Sequence, residues 1–409
     1  MGILRYSKET FGYLIAFPDG RMALYTHDVA SLLKDNIRYE DLIKYKINTL
    51  QLDTDFHLSA PLIVWIELTR KCNLRCKHCF ITAGKPLEHE LSLQEILLLL
   101  DDLKKIKVLS LVISGGEPMI HEDFDHILKY ACDLGFVVSV ATNGLLITQE
   151  RINRLPKKYE DLRISVSLDG ADNYNPFRGK VSFKQITDKL LLLKNNGILT
   201  AAMVTMSSKN IHELRKILEW CIEHKIVFRS VQFNPIGRGG EGENKNYILN
   251  SSDVEKASSL WLDETLLEIE INKSIGICVA KILDYSFELV YSIKRCMGGR
   301  FQAYVCANGD VYPCSICTSN GTFKTGNIRE NNFSEIWINS FREIRSFTWE
   351  SFTECTSCGL SSPPYFCTSR CPSLALRYKG NPHACGALPI NKLILKKRTE
   401  LLHQTFGYS

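Results

Sequence analysis

The sequence predicts an α/β protein built from parallel strand–helix units. Between residues 61 and 240, short apolar runs rich in Val, Ile and Leu alternate with longer amphipathic stretches. The short runs predict buried strands, the longer stretches predict helices, and their alternation is typical of a parallel sheet. A chain of 409 residues also exceeds the usual size of one hydrophobic core, so we expect two or three domains.

The alternation gives six strands and four main helices. Ser92-Leu93-Gln94-Glu95 matches a capping box, which places the start of a helix there. The predicted strands are 62–68, 108–114, 136–141, 162–168, 199–205 and 228–234, and the predicted helices are 92–106, 122–134, 181–196 and 210–225. Because ligands of parallel α/β folds gather at the carboxyl ends of the strands, the functional residues should follow these strands.

The segments outside this region have different patterns. Residues 1–60 form a small module with a predicted hairpin, in which the runs 13–17 and 21–25 flank Pro18-Asp19-Gly20, followed by a helix-like stretch around 29–34. Residues 241–252 are polar and rich in Gly and Asn, which indicates a linker, and residues 253–294 are mostly helical.

A cysteine triplet follows the first predicted strand. Cys72, Cys76 and Cys79 have the spacing C-x3-C-x2-C. Three thiolates so spaced can hold three irons of a cubane [4Fe–4S] cluster and leave the fourth iron open to another ligand. The alternatives are an incomplete zinc site or three unrelated core cysteines, although structural zinc sites usually combine two cysteine pairs.

Three further motifs follow the next predicted strands. They are Ser114-Gly115-Gly116-Glu117-Pro118, Ala141-Thr142-Asn143-Gly144, and Ile164-Ser165-Val166-Ser167-Leu168-Asp169-Gly170 with Phe177-Arg178-Gly179. The glycines permit close approach to the backbone, and a carboxylate beside them can accept a hydrogen bond from an ammonium group. In this order, the cysteine triplet and these motifs resemble the radical S-adenosylmethionine (radical SAM) enzymes.

The resemblance implies a partial (β/α)6 TIM-like barrel in which SAM chelates the open iron. One-electron cleavage of SAM then gives a 5′-deoxyadenosyl radical, which abstracts hydrogen from an unactivated C–H bond. The resemblance places Gly115, Gly116, Glu117 and Pro118 at SAM, with Glu117 at the methionyl amine. Ser167 and Arg178 would contact its carboxylate. Asn143 and Ser165 would line the same cleft or else satisfy backbone groups at strand ends, and His78 would pack over the cluster without a catalytic role.

A second field of cysteines occupies the last third of the chain. Its spacing resembles the SPASM domain, the auxiliary-cluster module of peptide-modifying radical SAM enzymes, except that eight rather than five residues separate Cys358 from Cys367. The resemblance assigns one outer cluster to Cys355, Cys358, Cys367 and Cys385, and one inner cluster to Cys296, Cys314 and Cys371. The fourth ligand of the inner cluster is left open between Cys278, Cys306, Cys317 and an open iron. One or two zinc-ribbon sites are the alternative.

The resemblance implies the domains 1–60 (possibly leader-peptide binding), 61–240 (radical SAM barrel), 241–294 (helical bridge), 295–390 (SPASM) and 391–409 (tail). The expected function is an oxidoreductase that cross-links a ribosomally made precursor peptide (a RiPP) through a thioether or C–C bond. Its cofactors would be SAM and three [4Fe–4S] clusters, and its electron donor a flavodoxin or ferredoxin. An anaerobic sulfatase-maturing enzyme, a haem-pathway enzyme and a non-catalytic zinc-binding adaptor are the alternatives.

The composition of the chain indicates which partners and which cellular compartment to expect. The net charge of +5 is small, and the basic run Lys396-Lys397-Arg398 indicates a solvated terminal helix, so no nucleic acid is expected. We expect no transmembrane helix, because no uncharged apolar run reaches 18 residues, and no signal peptide, because the charged amino terminus lacks its apolar segment, so a cytoplasmic protein is expected. Clustered cysteines in a reducing compartment indicate metal sites, and the chain has fifteen cysteines. Cys132 and Cys221 are expected to be buried thiols. The sequence identifies no catalytic acid or base, no particular peptide and no oligomeric state.

Overall fold

The computed structural model describes residues 5–9, 12–16, 22–25, 28, 30, 57–155, 162–172, 175, 177–275, 296–319, 321–361, 367 and 370–406. Near the amino terminus, three antiparallel strands form a small sheet, in the order β1 (Arg5–Glu9), β2 (Gly12–Ala16) and β3 (Met22–Tyr25). The pairing of β2 with β3 confirms the two strands of the predicted hairpin. The turn at 18–20 and most of the helix-like stretch around 29–34 lie outside the described residues.

The small sheet is fastened to the rest of the chain through β1. The Glu9 carboxylate accepts hydrogen bonds from the backbone N–H of Ser59 (2.8 Å) and from its hydroxyl (3.0 Å). Glu9 is buried, as are Tyr13 and Ile15 on β2. A buried carboxylate needs such partners, so this contact fixes where the small sheet meets the segment that leads into the large sheet.

The large sheet has nine strands, and all six predicted strands are present in it. Its order is β12-β11-β10-β4-β5-β6-β7-β8-β9, with β12 at one edge and β9 at the other, so the sheet is open. β4 to β9 are parallel to one another, and β10 runs parallel to β4. The strands are β4 (Ile63–Glu67), β5 (Ser110–Ser114), β6 (Val137–Thr142), β7 (Leu162–Ser167), β8 (Leu199–Met206), β9 (Val227–Gln232), β10 (Gln302–Val305), β11 (Asp310–Tyr312) and β12 (Gly326–Asn327).

Helices follow the strands of the large sheet, as predicted. The helix after β4 begins at the predicted capping box, with Ser92 as N-cap and the Glu95 side chain bonded back to it. The sequence analysis missed the short α3. The helices are α1 (Leu93–Lys105), α2 (Phe124–Asp133), α3 (Gln149–Arg154), α4 (Phe183–Asn195), α5 (Leu214–Glu223), α6 (Val254–Ile275), α7 (Ser315–Thr318), α8 (Phe333–Asn339), α9 (Arg342–Ser346), α10 (Pro372–Lys379) and α11 (Pro389–Phe406).

The extension of the sheet by β10, β11 and β12 was not predicted. These strands come from the cysteine-rich segment, and β10 places Tyr304 opposite Trp65 of β4. One continuous apolar core includes Val64 of β4, Ala303 of β10 and Trp337 of α8. The cysteine-rich segment therefore shares both sheet and core with the strand–helix region across the predicted boundary at residue 295.

The carboxyl terminus is a helix along most of the predicted tail. α11 packs against α6, and Ile390 and Ile394 are buried in the core. Within the basic run, the Arg398 guanidinium lies 5.0 Å from the centre of the Trp261 ring on α6. In the part of the chain that the structure describes, no helix has the length and apolar character needed to cross a membrane.

Candidate iron–sulfur and SAM site

The cysteine triplet lies in the loop that leaves the carboxyl end of β4. The thiols of Cys72, Cys76 and Cys79 are partly exposed and close enough for their charges to interact. The backbone N–H of Leu74 donates to Cys72 Sγ (3.4 Å), and that of Ala83 donates to Cys79 Sγ (3.2 Å). The loop therefore brings three sulfur atoms together and provides N–H donors that suit thiolates.

Burial raises the pKa of the Cys72 thiol, and it raises that of Cys76 to about 11. At neutral pH the thiols of Cys72 and Cys76 therefore keep their protons when no metal is bound. Metal ligands must be deprotonated, so loading iron here releases protons, and the positive charge of the metal offsets the cost of burying thiolates.

Gly115 and Gly116 lie directly against the start of the cysteine loop. The N–H of Gly116 donates to Thr69 O (2.7 Å), and a Cβ on Gly116 would lie 2.3 Å from Lys71 O. A Cβ on Gly115, whose φ is +153°, would lie 2.6 Å from Thr69 O. Only glycine permits this approach, so both glycines are required by packing between backbones, whatever ligand they also meet.

The Glu117 side chain is buried and joins the ends of two strands. Its carboxylate accepts hydrogen bonds from Met119 N (3.2 Å), Thr142 Oγ1 (2.8 Å) and Asn143 N (2.8 Å). Burial raises its pKa, and these three donors act in the opposite direction. The expected contact of this carboxylate with the SAM amine stays a prediction; what the structure shows is a bridge between β5 and β6. Pro118 begins a buried 3-10 turn that also holds Met119.

Asn143 joins the end of β6 to the cysteine loop. Its Nδ2 donates to Asn73 Oδ1 between the first two cysteines (2.7 Å), and its Oδ1 accepts from Leu145 N (3.0 Å). On β7, the Ser165 hydroxyl is buried and has no hydrogen-bond partner within the described chain, and Ser167 is half-buried at the strand end. Ser165 is thus a polar group for which a bound ligand would supply the missing partner.

A buried ion pair, Arg178 with Asp169, lies close to the cysteine loop. The Arg178 Nε donates to Asp169 Oδ2, and the charge of Arg178 reaches Cys76 and Cys79. Burial acts to raise the pKa of Asp169, but the charge of Arg178 and the hydrogen bonds from Thr205 N and the Arg178 side chain outweigh it and hold that pKa low. The His78 ring packs edge-on against Phe177 with centroids 4.6 Å apart, and burial lowers its pKa to about 4. His78 is therefore neutral at physiological pH.

Arg238, which was not predicted as a site residue, also holds the cysteine loop. Its two terminal nitrogens donate to Cys76 O (2.8 Å) and Ala83 O (2.5 Å), and its backbone N–H donates to Cys79 O (3.0 Å). A Cβ on the preceding Gly237 would lie 2.2 Å from Phe80 O. The glycines around Arg238, at positions 237, 239 and 240, are the signal in the sequence for close backbone contact here.

The inner set of the second cysteine field is assembled by the fold. The charges of Cys296, Cys314 and Cys371 interact, although these residues lie far apart in sequence. Cys314 and Cys371 each precede a helix as its N-cap, and Leu374 N approaches Cys371 Sγ at 3.5 Å. All three predicted inner ligands therefore gather in one place.

The outer set lies around Arg370. The charges of Cys367 and Cys385 each interact with the Cys355 thiol, which also forms a hydrogen bond with the Arg370 side chain. Cys358 follows in the same turn, with its N–H donating to Cys355 O (3.2 Å). The insertion between Cys358 and Cys367 falls mostly outside the described residues.

A buried polar contact connects the cysteine loop to the second cysteine field. Glu67, at the end of β4, pairs with Arg70 and accepts a hydrogen bond from Tyr304 Oη (3.0 Å) on β10. Arg70 also donates to Ile81 O inside the cysteine loop (3.0 Å). Cys306 lies beside this group, and burial raises its pKa.

Within the described residues, no three Cys, His, Asp or Glu side chains converge on the position of a single metal ion. In a cubane cluster each thiolate binds a different iron, so the sulfurs stand further apart than the ligands of one ion. The donors present are thiols, backbone N–H groups and a guanidinium, and they fit an iron–sulfur cluster with an anionic ligand beside it.

Comparison with known proteins settles the family. The sequence model of the radical SAM superfamily matches residues 66–221, and that of SPASM, an iron–sulfur cluster-binding domain, matches residues 296–359. AdoMet-dependent heme synthase of Methanosarcina barkeri is 31% identical over 312 residues, which cover 70% of this chain and 85% of that protein. The chain belongs to the radical SAM superfamily. It is an enzyme, and its two domains imply iron–sulfur clusters and SAM binding.

Other radical SAM proteins are similar to it. Mycofactocin maturase MftC of Mycolicibacterium smegmatis is 29% identical over 311 residues, covering 74% of this chain and 76% of that protein. The structure of Streptococcus suis SuiB bound to S-adenosylmethionine matches with a TM-score of 0.70 at 19% identity, over 95% of this chain and 99% of SuiB. SuiB has also been solved with its precursor peptide SuiA. AdoMet-bound anSMEcpe matches with a TM-score of 0.64 at 18% identity, over 85% of this chain. At these identities the two structures show the shared radical SAM fold.

Proposed function

We propose that this radical SAM enzyme is a peptide maturase that oxidatively cross-links a ribosomally made precursor peptide through a thioether or C–C bond. The observation that carries the proposal is the combination of the cysteine loop with two further groups of gathered cysteines in one chain. An oxidative cross-link requires both a way to break a C–H bond and an acceptor for the electron that remains. The chain has a candidate site for each.

The first site is the cysteine loop with the strand ends around it. Cys72, Cys76 and Cys79 would hold three irons, and when bound, the reduced cluster and SAM supply the 5′-deoxyadenosyl radical that abstracts hydrogen from the substrate. Arg178 supplies positive charge for the SAM carboxylate. The buried Ser165 hydroxyl, which has no hydrogen-bond partner among the described residues, would line the same site.

Around that cleft, other residues position the site. The segment 115–118 would contact SAM, with the Glu117 carboxylate at the methionyl amine, and the same carboxylate joins the ends of β5 and β6. Asn143 holds the cysteine loop through Asn73. The expected SAM contacts Gly115, Gly116, Pro118 and Ser167 belong to the same proposal.

The second site is the pair of auxiliary cysteine sets. Joining a thiol or C–H group to a second C–H group removes two hydrogen atoms from the peptide. One leaves as the abstracted atom, and the other leaves as a proton and an electron. We assign the acceptance of that electron to two auxiliary [4Fe–4S] clusters held by the inner and outer cysteines. A reduced flavodoxin or ferredoxin in the cytoplasm would supply the electron that starts the next turnover.

The peptide substrate is favoured by the amino-terminal sheet. The similarity to SuiB covers 95% of this chain, whereas that to anSMEcpe covers 85%. SuiB binds a precursor peptide. The small sheet, docked through Glu9 and Ser59, would hold the leader part of such a peptide. MftC, also named a maturase, supports the same proposal.

A haem-pathway activity is the second candidate, because the relative from Methanosarcina barkeri at 31% identity is a heme synthase. In that case the substrate would be a tetrapyrrole with a modifiable side chain. The two candidates therefore differ in the substrate, a peptide or a tetrapyrrole, that would meet the first cluster.

The proposal is tested on anaerobically reconstituted protein with dithionite as reductant. Iron, sulfide and deoxyadenosine are measured first, with about twelve irons expected for three cubane clusters. Peptides encoded by neighbouring genes and iron coproporphyrin are then supplied separately. Loss of two hydrogen atoms from one peptide, measured by mass spectrometry, supports the maturase. Turnover of the porphyrin alone, or formation of formylglycine in a sulfatase peptide, would contradict it, and zinc in place of iron would overturn the enzyme class.

A leader-peptide fragment is the control for the role of the amino-terminal sheet. The fragment should inhibit modification of the full precursor and leave the release of deoxyadenosine without peptide unchanged. A fragment that has no effect on modification would remove the leader-binding role from the amino-terminal sheet.

A further inference from the structure

We propose that Cys317 is the fourth protein ligand of the inner auxiliary cluster, so that this cluster is closed and serves electron transfer. This inference rests on the proposed assignment of the inner cluster to Cys296, Cys314 and Cys371. It selects one of the candidates that the sequence leaves open, and it determines what chemistry the inner cluster can perform.

Cys317 lies one helical turn from an inner ligand. α7 starts directly after Cys314, and the N–H of Cys317 donates to Cys314 O (3.2 Å). Residues three apart on a helix project from the same side, and the two sulfur atoms are 3.8 Å apart. Because each thiolate would bind a different iron of the cubane, the two sulfurs would move apart when the cluster is loaded. Cys317 is 1% exposed, so its thiol points into the protein next to Cys314.

The remaining inner ligands reach the same place from two other segments. α7 packs against α10, which begins at Cys371, and Thr322 Oγ1 lies 3.3 Å from Ser373 Oγ across this contact. The charge of Cys371 reaches Cys317 as well as Cys296. Cys317 therefore interacts with two of the three inner ligands, Cys314 and Cys371, and as a fourth ligand it would complete a fully coordinated cubane.

Cys306 does not occupy this position. It ends β10, and its thiol interacts with Glu67 and Arg70, the buried pair that supports the first cysteine loop. The Tyr312 side chain lies between the two places, since its hydroxyl interacts with both Cys306 and Cys317. Cys306 is therefore a matched control, because it is equally buried and belongs to the same small apolar cluster as Cys317. Cys278 lies outside the described residues.

A fourth thiolate changes what the inner cluster can do. With an open iron, the cluster would bind a substrate thiolate directly. With four cysteine ligands it has no free coordination position and can only accept or donate electrons. The substrate thiol would then meet the cleft at the first cluster without anchoring to a second metal.

The test uses the full chain with Cys72, Cys76 and Cys79 changed to alanine, which removes the open iron of the first cluster. This parent should bind about eight irons, four per auxiliary cluster. Added to it are Cys317→Ala, Cys306→Ala or Cys278→Ala, and each protein is reconstituted anaerobically. Mössbauer and EPR spectra are recorded before and after mild oxidation, and again with added cyanide as a small ligand for an open iron.

In the parent protein, cyanide should leave the spectra of both auxiliary clusters unchanged. This measurement needs no further variant, so it holds even if Cys317→Ala fails to fold. In Cys317→Ala, one cluster should lose an iron on oxidation and give a three-iron EPR signal, and cyanide should shift its spectrum. Cys306→Ala should behave like the parent.

Two results would overturn the assignment of Cys317. One is a cyanide-induced change in the parent, which means an open auxiliary iron. The other is a three-iron signal from Cys306→Ala or Cys278→Ala while Cys317→Ala keeps two intact clusters. Absence of auxiliary iron from the parent is a different result, because it would refute the proposed clusters themselves.

Discussion

Replacing Arg238 with methionine should loosen the cysteine loop and weaken the first cluster while leaving the auxiliary clusters intact. The Arg238 guanidinium is buried and donates to two carbonyl groups of the loop, Cys76 O and Ala83 O. Methionine keeps much of the apolar stem of arginine and removes both donors. The Arg238 backbone contact to Cys79 O does not depend on the side chain.

The magnitude follows from the two lost hydrogen bonds. A hydrogen bond from a charged donor contributes about 1.5–3 kcal/mol, and a buried carbonyl left without a donor costs a similar amount. Taking the lower value for each carbonyl gives about 3 kcal/mol for the folded loop. Because about 1.4 kcal/mol corresponds to a tenfold change in an equilibrium constant, iron in the first cluster should be held about a hundredfold more weakly.

The assay is anaerobic competition of reconstituted protein with a chelator, with released iron and SAM cleavage measured on the same sample. Arg238→Met should release about one third of its iron early and lose deoxyadenosine formation in parallel, if three equal clusters are present. Iron release from Arg238→Lys should be intermediate between that of Arg238→Met and that of the wild type, because one ammonium group cannot make both hydrogen bonds of a guanidinium. Arg215→Met is the matched control, since Arg215 is 44% exposed and pairs with Asp263 at the surface.

Equal chelator resistance of Arg238→Met and the wild type would refute the reasoning, because the guanidinium would then not support the loop. Simultaneous release of all iron would also refute it. That result would mean that the three clusters depend on one unfolding event rather than on local contacts.

Three further outcomes are expected. Changing the three cysteines of the loop together to alanine should abolish SAM cleavage and leave the auxiliary iron bound; loss of all iron would contradict the three-cluster proposal. Gly116→Ala should also lose the first cluster, because its Cβ would meet a loop carbonyl at 2.3 Å. Gly359→Ala should keep that cluster, because a Cβ on Gly359 meets no atom within 4 Å among the described residues. Burial raises the pKa of Glu264 from 4.5 to about 7, against hydrogen bonds from Ser230, so its folded form binds a proton that the unfolded form has released. The free energy of unfolding should therefore fall as pH rises from about 4.5 to about 7, by up to about 3 kcal/mol, and level off above that. In urea unfolding, the stability of Glu264→Gln should not fall with pH over this range. An unchanged pH dependence in this variant would mean that another group causes it.

The sequence was sufficient for the strand–helix order because each unit has a local signature. The six strands of 61–240 are apolar runs, and the helix at Ser92 has both members of its capping box. The cysteine triplet could be assigned for a related reason. The three cysteines lie within eight residues, so one short segment contains all the residues on which the prediction depends.

The contacts that hold this segment could not be read in the same way. The contact of Glu117 with the SAM amine stays a prediction, and the sequence does not indicate that its carboxylate also joins the ends of β5 and β6. Arg238 lies about 160 residues from the carbonyls it supports. Residue spacing indicates neither the partners of Glu117 nor those of Arg238. These partners meet because strands pair in the sheet, and the length of chain between them does not set that contact.

By itself, the sequence determined the fold class and the positions of the cysteine triplet and the second cysteine field, since these depend on residue type and on local spacing; the clusters that these cysteines would hold stay predictions. Only the tertiary structure decided that β10 extends the sheet beside β4, that Tyr304 reaches Glu67 across that edge, and that Cys317 rather than Cys306 lies beside Cys314. The physical reason is that side chains meet through strand pairing and helix packing between distant segments. Such contacts are stabilised by burial of the whole core, to which every strand and helix contributes, and no single motif encodes them.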